Sequence, residues 1–206
     1  MDLFIYWIGM AGVAVGAFTG VIEAERKEID LVGATFVAVA TALGGGTLRD
    51  LLLSRHVFWV ADQAYLLTAA VCGIAMFFVM RRRQVSRHWF LYPDAVAMAL
   101  FAVFGTQAAL QWQAPWLVAS LMGVVTAVFG GMLRDILCNE LPLVMRPGEL
   151  YATAAWFGSV AFIALRELEL AVAPAGALAV MVALGLRVAA IRYHLTLPSL
   201  KRVPPP

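Results

Sequence analysis

Seven stretches of this chain carry no Asp, Glu, Lys or Arg: Leu3–Ile22, Leu31–Leu48, Ala64–Met80, Ala95–Leu110, Trp116–Leu133, Leu150–Leu165 and Leu170–Leu186. A membrane helix needs about 17–25 predominantly apolar residues, and every stretch meets that length or falls a residue short. A chain of 206 residues that is 63% hydrophobic and 14% charged has more apolar surface than a soluble core of its size can hide. None of the stretches alternates apolar and polar residues as a barrel strand does. The expected class is an all-α polytopic membrane protein with seven transmembrane helices, forming a single domain over residues 1–192. A cytoplasmic tail, 193–206, ends in "VPPP" and is expected to be disordered. The first stretch lacks the basic leader of a cleaved signal peptide and reads as a span. Cys72 and Cys138 lie in or beside spans and read as small packing residues rather than as a disulfide.

Lys and Arg mark cytoplasmic loops. Arg26 and Lys27 follow the first span, Arg81, Arg82, Arg83 and Arg87 the third, and Arg187, Arg192, Lys201 and Arg202 the seventh, whereas Arg49 and Arg55 run against the bias. The N-terminus is expected outside and the C-terminus inside. Arg81, Arg82 and Arg83 are candidate contacts for anionic lipid headgroups, although a topology signal alone accounts for them.

The chain also repeats itself. Thr41–Leu52 (TALGGGTLRDLL) falls 85 residues on at Thr126–Leu137 (TAVFGGMLRDIL), identical at eight of twelve positions. At the same offset Thr68, Ala69, Ala70, Gly73 and Phe77 fall on Thr153, Ala154, Ala155, Gly158 and Phe162. Ala14, Ala17, Gly20 and Ala24 fall on Ala99, Ala102, Gly105 and Ala109, a small-residue stripe that suits close helix packing. The reading is a duplicated three-helix unit, about residues 3–80 and 93–165, plus a seventh helix at about 170–190. Three is odd, so the second copy enters the membrane from the opposite side. Such inverted-topology repeats favour a pathway at their pseudo-two-fold interface.

The repeated motif holds two local faults. Each interior glycine costs a helix about 1 kcal/mol relative to alanine, so Gly44, Gly45 and Gly46 in the second span, and Gly130 and Gly131 in the fifth, are expected to soften it. Carbonyls freed by a bend find no partner in lipid and must face another helix or a wet passage, where they would suit a cation. The competing reading is close helix approach. Arg49–Asp50 and Arg134–Asp135 follow, with Thr47 beside the first pair. An ionised side chain at mid-bilayer costs at least about 2.5–3.5 kcal/mol, so these residues are expected to pair or to line a polar cavity. Straight helices put one pair near each mouth; a strong bend lets Arg49 meet Asp135 and Arg134 meet Asp50. Both arrangements stay open, as does a role that only anchors helix ends.

Other features read more simply. Glu23, Glu25, Arg26, Lys27, Glu28 and Asp30 form a solvated loop, and Pro93, Pro115, Pro147 and Pro174 start spans four to seven. Trp59, Trp89, Trp112 and Trp116 suit interfacial anchors. His56, His88 and His194 lack ligand-like spacing, so no metal or cofactor is expected, and no nucleophile–base motif or phosphate loop points to an enzyme. No feature points to nucleic acid. A channel, a secondary transporter of a small solute such as a small neutral amino acid, and a non-conducting scaffold are the remaining classes.

The GGGTLRD and GGMLRD motifs, the paired triplets and the extra helix resemble the prokaryotic branch of the trimeric intracellular cation (TRIC) channel family, over residues 3 to 190. The resemblance implies a homotrimer with a potassium-permeable pore in each protomer, lined by bent second and fifth helices. It makes Gly44, Gly45, Gly46, Gly130 and Gly131 hinges, and Arg49, Asp50, Arg134 and Asp135 polar pore or gate residues. Phe129 replaces the first glycine of the second motif, so that half is expected to bend less.

Overall fold

The computed structural model describes residues 2–81, 87–146 and 150–197, with 87–89 by backbone alone. Arg82, Arg83, Pro147 and the last nine residues of the expected tail lie outside the described residues. The helices are α1 (Leu3–Glu25), α2 (Leu31–Leu52), α3 (Phe58–Ala61), α4 (Ala64–Met80), α5 (Arg87–Gln111), α6 (Trp116–Leu137), α7 (Tyr151–Glu167) and α8 (Val172–Tyr193). A 3-10 turn, Leu143–Met145, follows α6. Five of them, α1, α2, α5 from Phe90, α6 and α8, are long and apolar enough to cross a membrane, and α4 is a shorter apolar helix. The molecule is an all-helical membrane protein.

Local chemistry sets the helix starts. Asp2 and Asp30 cap α1 and α2, their carboxylates accepting from Phe4 and Gly33 amides that have no intrahelical partner. Pro115 precedes α6 and Pro174 lies in the first turn of α8, as expected. Pro93 does not start its helix. α5 begins at Arg87, because charge marks where a hydrophobic run stops but not where helical hydrogen bonding stops. The helix ends repeat as the sequence does: Glu28 and Gln113 take φ of 55° and 57°, Ser54 and Asn139 of 52° and 53°, left-handed turns at matching positions.

Small residues let the helices approach. A Cβ on Gly20 would lie 2.7 Å from the Ala38 Cα, so α1 and α2 touch backbone to backbone, and at the matching place Gly105 of α5 would collide with Thr126 of α6. Helix α5 carries rings onto the glycines of α1, with Phe101 against Gly12 and Phe104 against Gly9. Outward faces stay apolar, as lipid demands: Val32 and Phe36 of α2, Leu121 of α6 and Met181 of α8 are all exposed. Three expectations change. Glu23 is buried beside Arg26 instead of solvated. Lys27 pairs with Glu140 at 2.8 Å, tying the loop after α1 to the end of α6. Trp59 donates its indole N–H to Thr47 Oγ1 at 2.9 Å and is partly buried.

Candidate functional site

α2 and α6 cross at their glycines. A Cβ on Gly45 would run into the Thr126 carbonyl oxygen, and one on Gly130 into the Thr41 carbonyl oxygen. Position 45 faces 126 while 130 faces 41, so the two helices run antiparallel. Helical structure is continuous through Gly44, Gly45 and Gly46 and through Gly130 and Gly131, so neither helix is broken at its glycines. A helix keeps its hydrogen bonds over a glycine when a neighbour packs tightly on the bare backbone, and the crossing does so here. Beside it Gly44, Thr47, Phe129 and Leu133 line a groove of about 280 Å³. Thr47 is engaged within it, donating to Leu43 O at 2.8 Å and accepting from Trp59.

The charged pairs sit at the ends of these two helices, and each pairs within its own helix. Arg49 Nε donates to Asp50 Oδ1, and Arg134 Nε to Asp135 Oδ1, both at 2.8 Å. The second carboxylate oxygen reaches the chain beyond the turn: Asp50 Oδ2 accepts the Phe58 amide at 2.9 Å and Asp135 Oδ2 the Leu143 amide at 2.8 Å. Both arginines are 0% exposed. Each pair therefore fastens a helix end to the short α3 helix or the 3-10 turn after it. The cross-pairing of Arg49 with Asp135 does not occur, because antiparallel helices crossing near their middles carry their C-terminal ends apart.

Around each pair the neighbours differ. Arg134 Nη1 donates to Asp94 Oδ1 of α5 at 2.6 Å and to Thr19 Oγ1 of α1 at 3.4 Å, and its Cζ lies 4.6 Å from the centre of the Phe90 ring. Arg49 has Arg55 sharing Asp50, with Nε at 3.4 Å from Oδ1, and the rings of Phe58 and Phe104 at 5.5 and 5.1 Å. Aromatic faces attract a guanidinium but do not accept N–H groups as a carboxylate does. A cavity of about 360 Å³ opens beside Arg49, with Tyr65, Asp62 and Trp112 on its wall.

Sequence reasoning missed Asp94 and Arg187. Asp94 only bounds the fourth uncharged run and is given no role by the sequence, yet it is 3% exposed. Arg187 was read as a cytoplasmic tail charge; it lies within α8, 0% exposed, with its Cζ 4.8 Å from the centre of the Tyr151 ring. An arginine flanked by Leu186 and Val188 inside a helical pattern was the available signal. Cys138, just past α6, is buried and its thiol is pushed up to about 11 by that burial and by Glu23 nearby, which suits packing rather than reactivity. Arg81 is exposed.

The glycine transporter family model matches residues 6–82 and again 91–167. The UPF0126 inner membrane protein YadS of Escherichia coli K12 is 37% identical over 200 residues, 96% of each chain. A UPF0126 membrane protein of Vibrio cholerae is 38% identical over 199 residues, 95% of this chain and 82% of that one. Among solved structures, the TRIC channel orthologue from Rhodobacter sphaeroides superposes with a TM-score of 0.88 at 38% identity, covering 93% of this chain and 98% of that chain. A second TRIC cation channel gives 0.86 at 30% identity, covering 98% and 99%. The chain thus belongs to the glycine transporter family of membrane proteins and, within it, to the prokaryotic branch of the TRIC channels.

Proposed function

We propose that this chain is a cation channel, permeable to potassium, working as a homotrimer in the inner membrane with a pore in each protomer. The observation that carries the reading is the antiparallel crossing of α2 and α6, glycine against carbonyl, with one fastened charge pair beyond each end. The 38% identity to the Rhodobacter sphaeroides channel over nearly the whole chain supports it. In this reading the described conformation, with α2 and α6 packed glycine against carbonyl, is a closed one. Opening separates α2 from α6 at Gly44, Gly45, Gly46, Gly130 and Gly131, and turns the Thr41 and Thr126 carbonyls toward the passage as cation ligands.

In this reading Thr47, Arg49, Asp50, Arg134 and Asp135 set the ends of the pathway. The domain is two inverted three-helix repeats plus α8, with the N-terminus outside and Arg81, Arg82 and Arg83 near cytoplasmic headgroups. The antiparallel run of α2 and α6, and the double match of one family model, support the inversion. Purified protein in liposomes is expected to dissipate a potassium gradient with no organic solute present. Impermeability across voltage and pH would overturn the reading.

The family's description favours a second reading, carriage of a small neutral amino acid such as glycine. Saturable uptake of labelled glycine that requires a sodium or proton gradient, without potassium leak, would select it.

A further inference from the structure

The two arginines of the repeat are unequally served. Arg134 faces two carboxylates, Asp135 at 2.8 Å and Asp94 at 2.6 Å. Arg49 donates Nε to Asp50, while its Nη1 and Nη2 are buried with no hydrogen-bond partner among the described residues. Counting back 85 residues from Asp94 reaches Gly9, and from Thr19 forward the same distance reaches Phe104. The acid is therefore missing from the first half. In its place the Phe104 ring packs on Gly9 and lies 5.1 Å from Arg49 Cζ.

A cavity adjoins that ring. Arg49 closes one end of the cavity of about 360 Å³, and Tyr65, Arg55 and Asp62 lie along its wall. The Tyr65 hydroxyl is likewise buried without a hydrogen-bond partner among the described residues. Buried donors of this kind are costly when left unmet, and the two residues that carry them, Arg49 and Tyr65, both line this one cavity.

The geometry points to a binding site for a small carboxylate in this cavity, with the ligand's oxygens on Arg49 Nη1 and Nη2 and the Tyr65 hydroxyl donating to one of them. A guanidinium presents its N–H groups as a planar fork matched to a carboxylate, and Asp94, bonded to Arg134 Nη1 through one oxygen, shows a carboxylate held on the other arginine of the repeat. Asp62 gives an ammonium group a partner, so a small amino acid fits as well as a simple carboxylate. Arg49 is 0% exposed behind Phe58 and Phe104, and the ligand reaches it when one of those rings turns aside. The site goes beyond the conduction reading and holds whether the pathway passes ions or solute.

The test is equilibrium titration of the full chain in nanodiscs at constant ionic strength, read by calorimetry and by the fluorescence of Trp112 on the cavity wall. The probes are acetate, glycine, methylammonium and inorganic phosphate. Saturable binding of acetate and glycine, and none of methylammonium, is expected; glycine tighter than acetate adds the role of Asp62. Arg49→Lys should weaken carboxylate binding at least about tenfold by losing the fork, and Tyr65→Phe about threefold. Gly9→Asp with Phe104→Thr copies the second half into the first and should abolish binding by supplying an internal carboxylate. Should that double variant fail to assemble, Tyr65→Phe against the parent chain decides. No saturable carboxylate binding up to tens of millimolar, binding of phosphate in preference to acetate, or affinity unchanged in both Arg49→Lys and Tyr65→Phe overturns the site. No flux enters these readouts, so a failed potassium assay leaves them intact.

Discussion

At the end of α2, Arg49 and Asp50 hold the turn that leads to Phe58; at the end of α6, Arg134 and Asp135 hold the turn that leads to Leu143 with the same bonds. The shared part is the link from side chain to main chain, which any helix ending in this way can use. The surroundings are not shared. Two acids flank the second arginine, whereas in the first half one acid serves two arginines, Arg49 and Arg55. Duplication preserved the fastening of the helix ends and left the outer contacts free to diverge. Anchoring is therefore common to both halves, and any chemistry particular to one side of the membrane belongs to the neighbours.

That comparison can be broken most directly at the aspartates. Asp50→Ala leaves Arg49 buried with no acid and should cost about 3–5 kcal/mol. Asp135→Ala leaves Asp94 in place and should cost about 1.5–3 kcal/mol, the worth of a hydrogen bond to a charged group. Denaturation in a fixed detergent measures both, and equal losses would end the claim of asymmetry. The crossing predicts symmetry instead. Gly45→Ala and Gly130→Ala each push a methyl group into a carbonyl oxygen of the other helix, and both should lose about 1–3 kcal/mol by the same assay. A large difference between them would mean that α2 and α6 do not pack as equivalents. The smallest effect separates the next glycines. A Cβ on Gly46 lies 2.5 Å from the Phe58 ring, while one on Gly131 lies 3.4 Å from its nearest neighbour, the Tyr151 hydroxyl. Gly46→Ala should destabilise, and Gly131→Ala should be neutral or gain up to about 1 kcal/mol through helix propensity. Opposite signs sharpen the comparison; like signs blunt it.

The sequence by itself determined the all-helical membrane class, the 85-residue repeat of the chain and the two Arg-Asp motifs. Hydropathy and period act locally, and of the two backbones that lipid admits, helices and closed barrels, the second needs an alternation these stretches lack. The sequence offered close approach as one use for the glycines, and only the tertiary structure shows which carbonyls they meet, Gly45 on Thr126 and Gly130 on Thr41. Asp94 and Arg187 escaped for a related reason. A reading that stops each span at the first charge leaves those residues outside the uncharged runs, whereas the structure carries α5 back to Arg87 and α8 on to Tyr193. The partners of a buried charge lie on other helices: Asp94 meets Arg134 from α5 across to α6. Such contacts depend on how helices cross, a property of the assembled bundle that no single stretch of chain encodes.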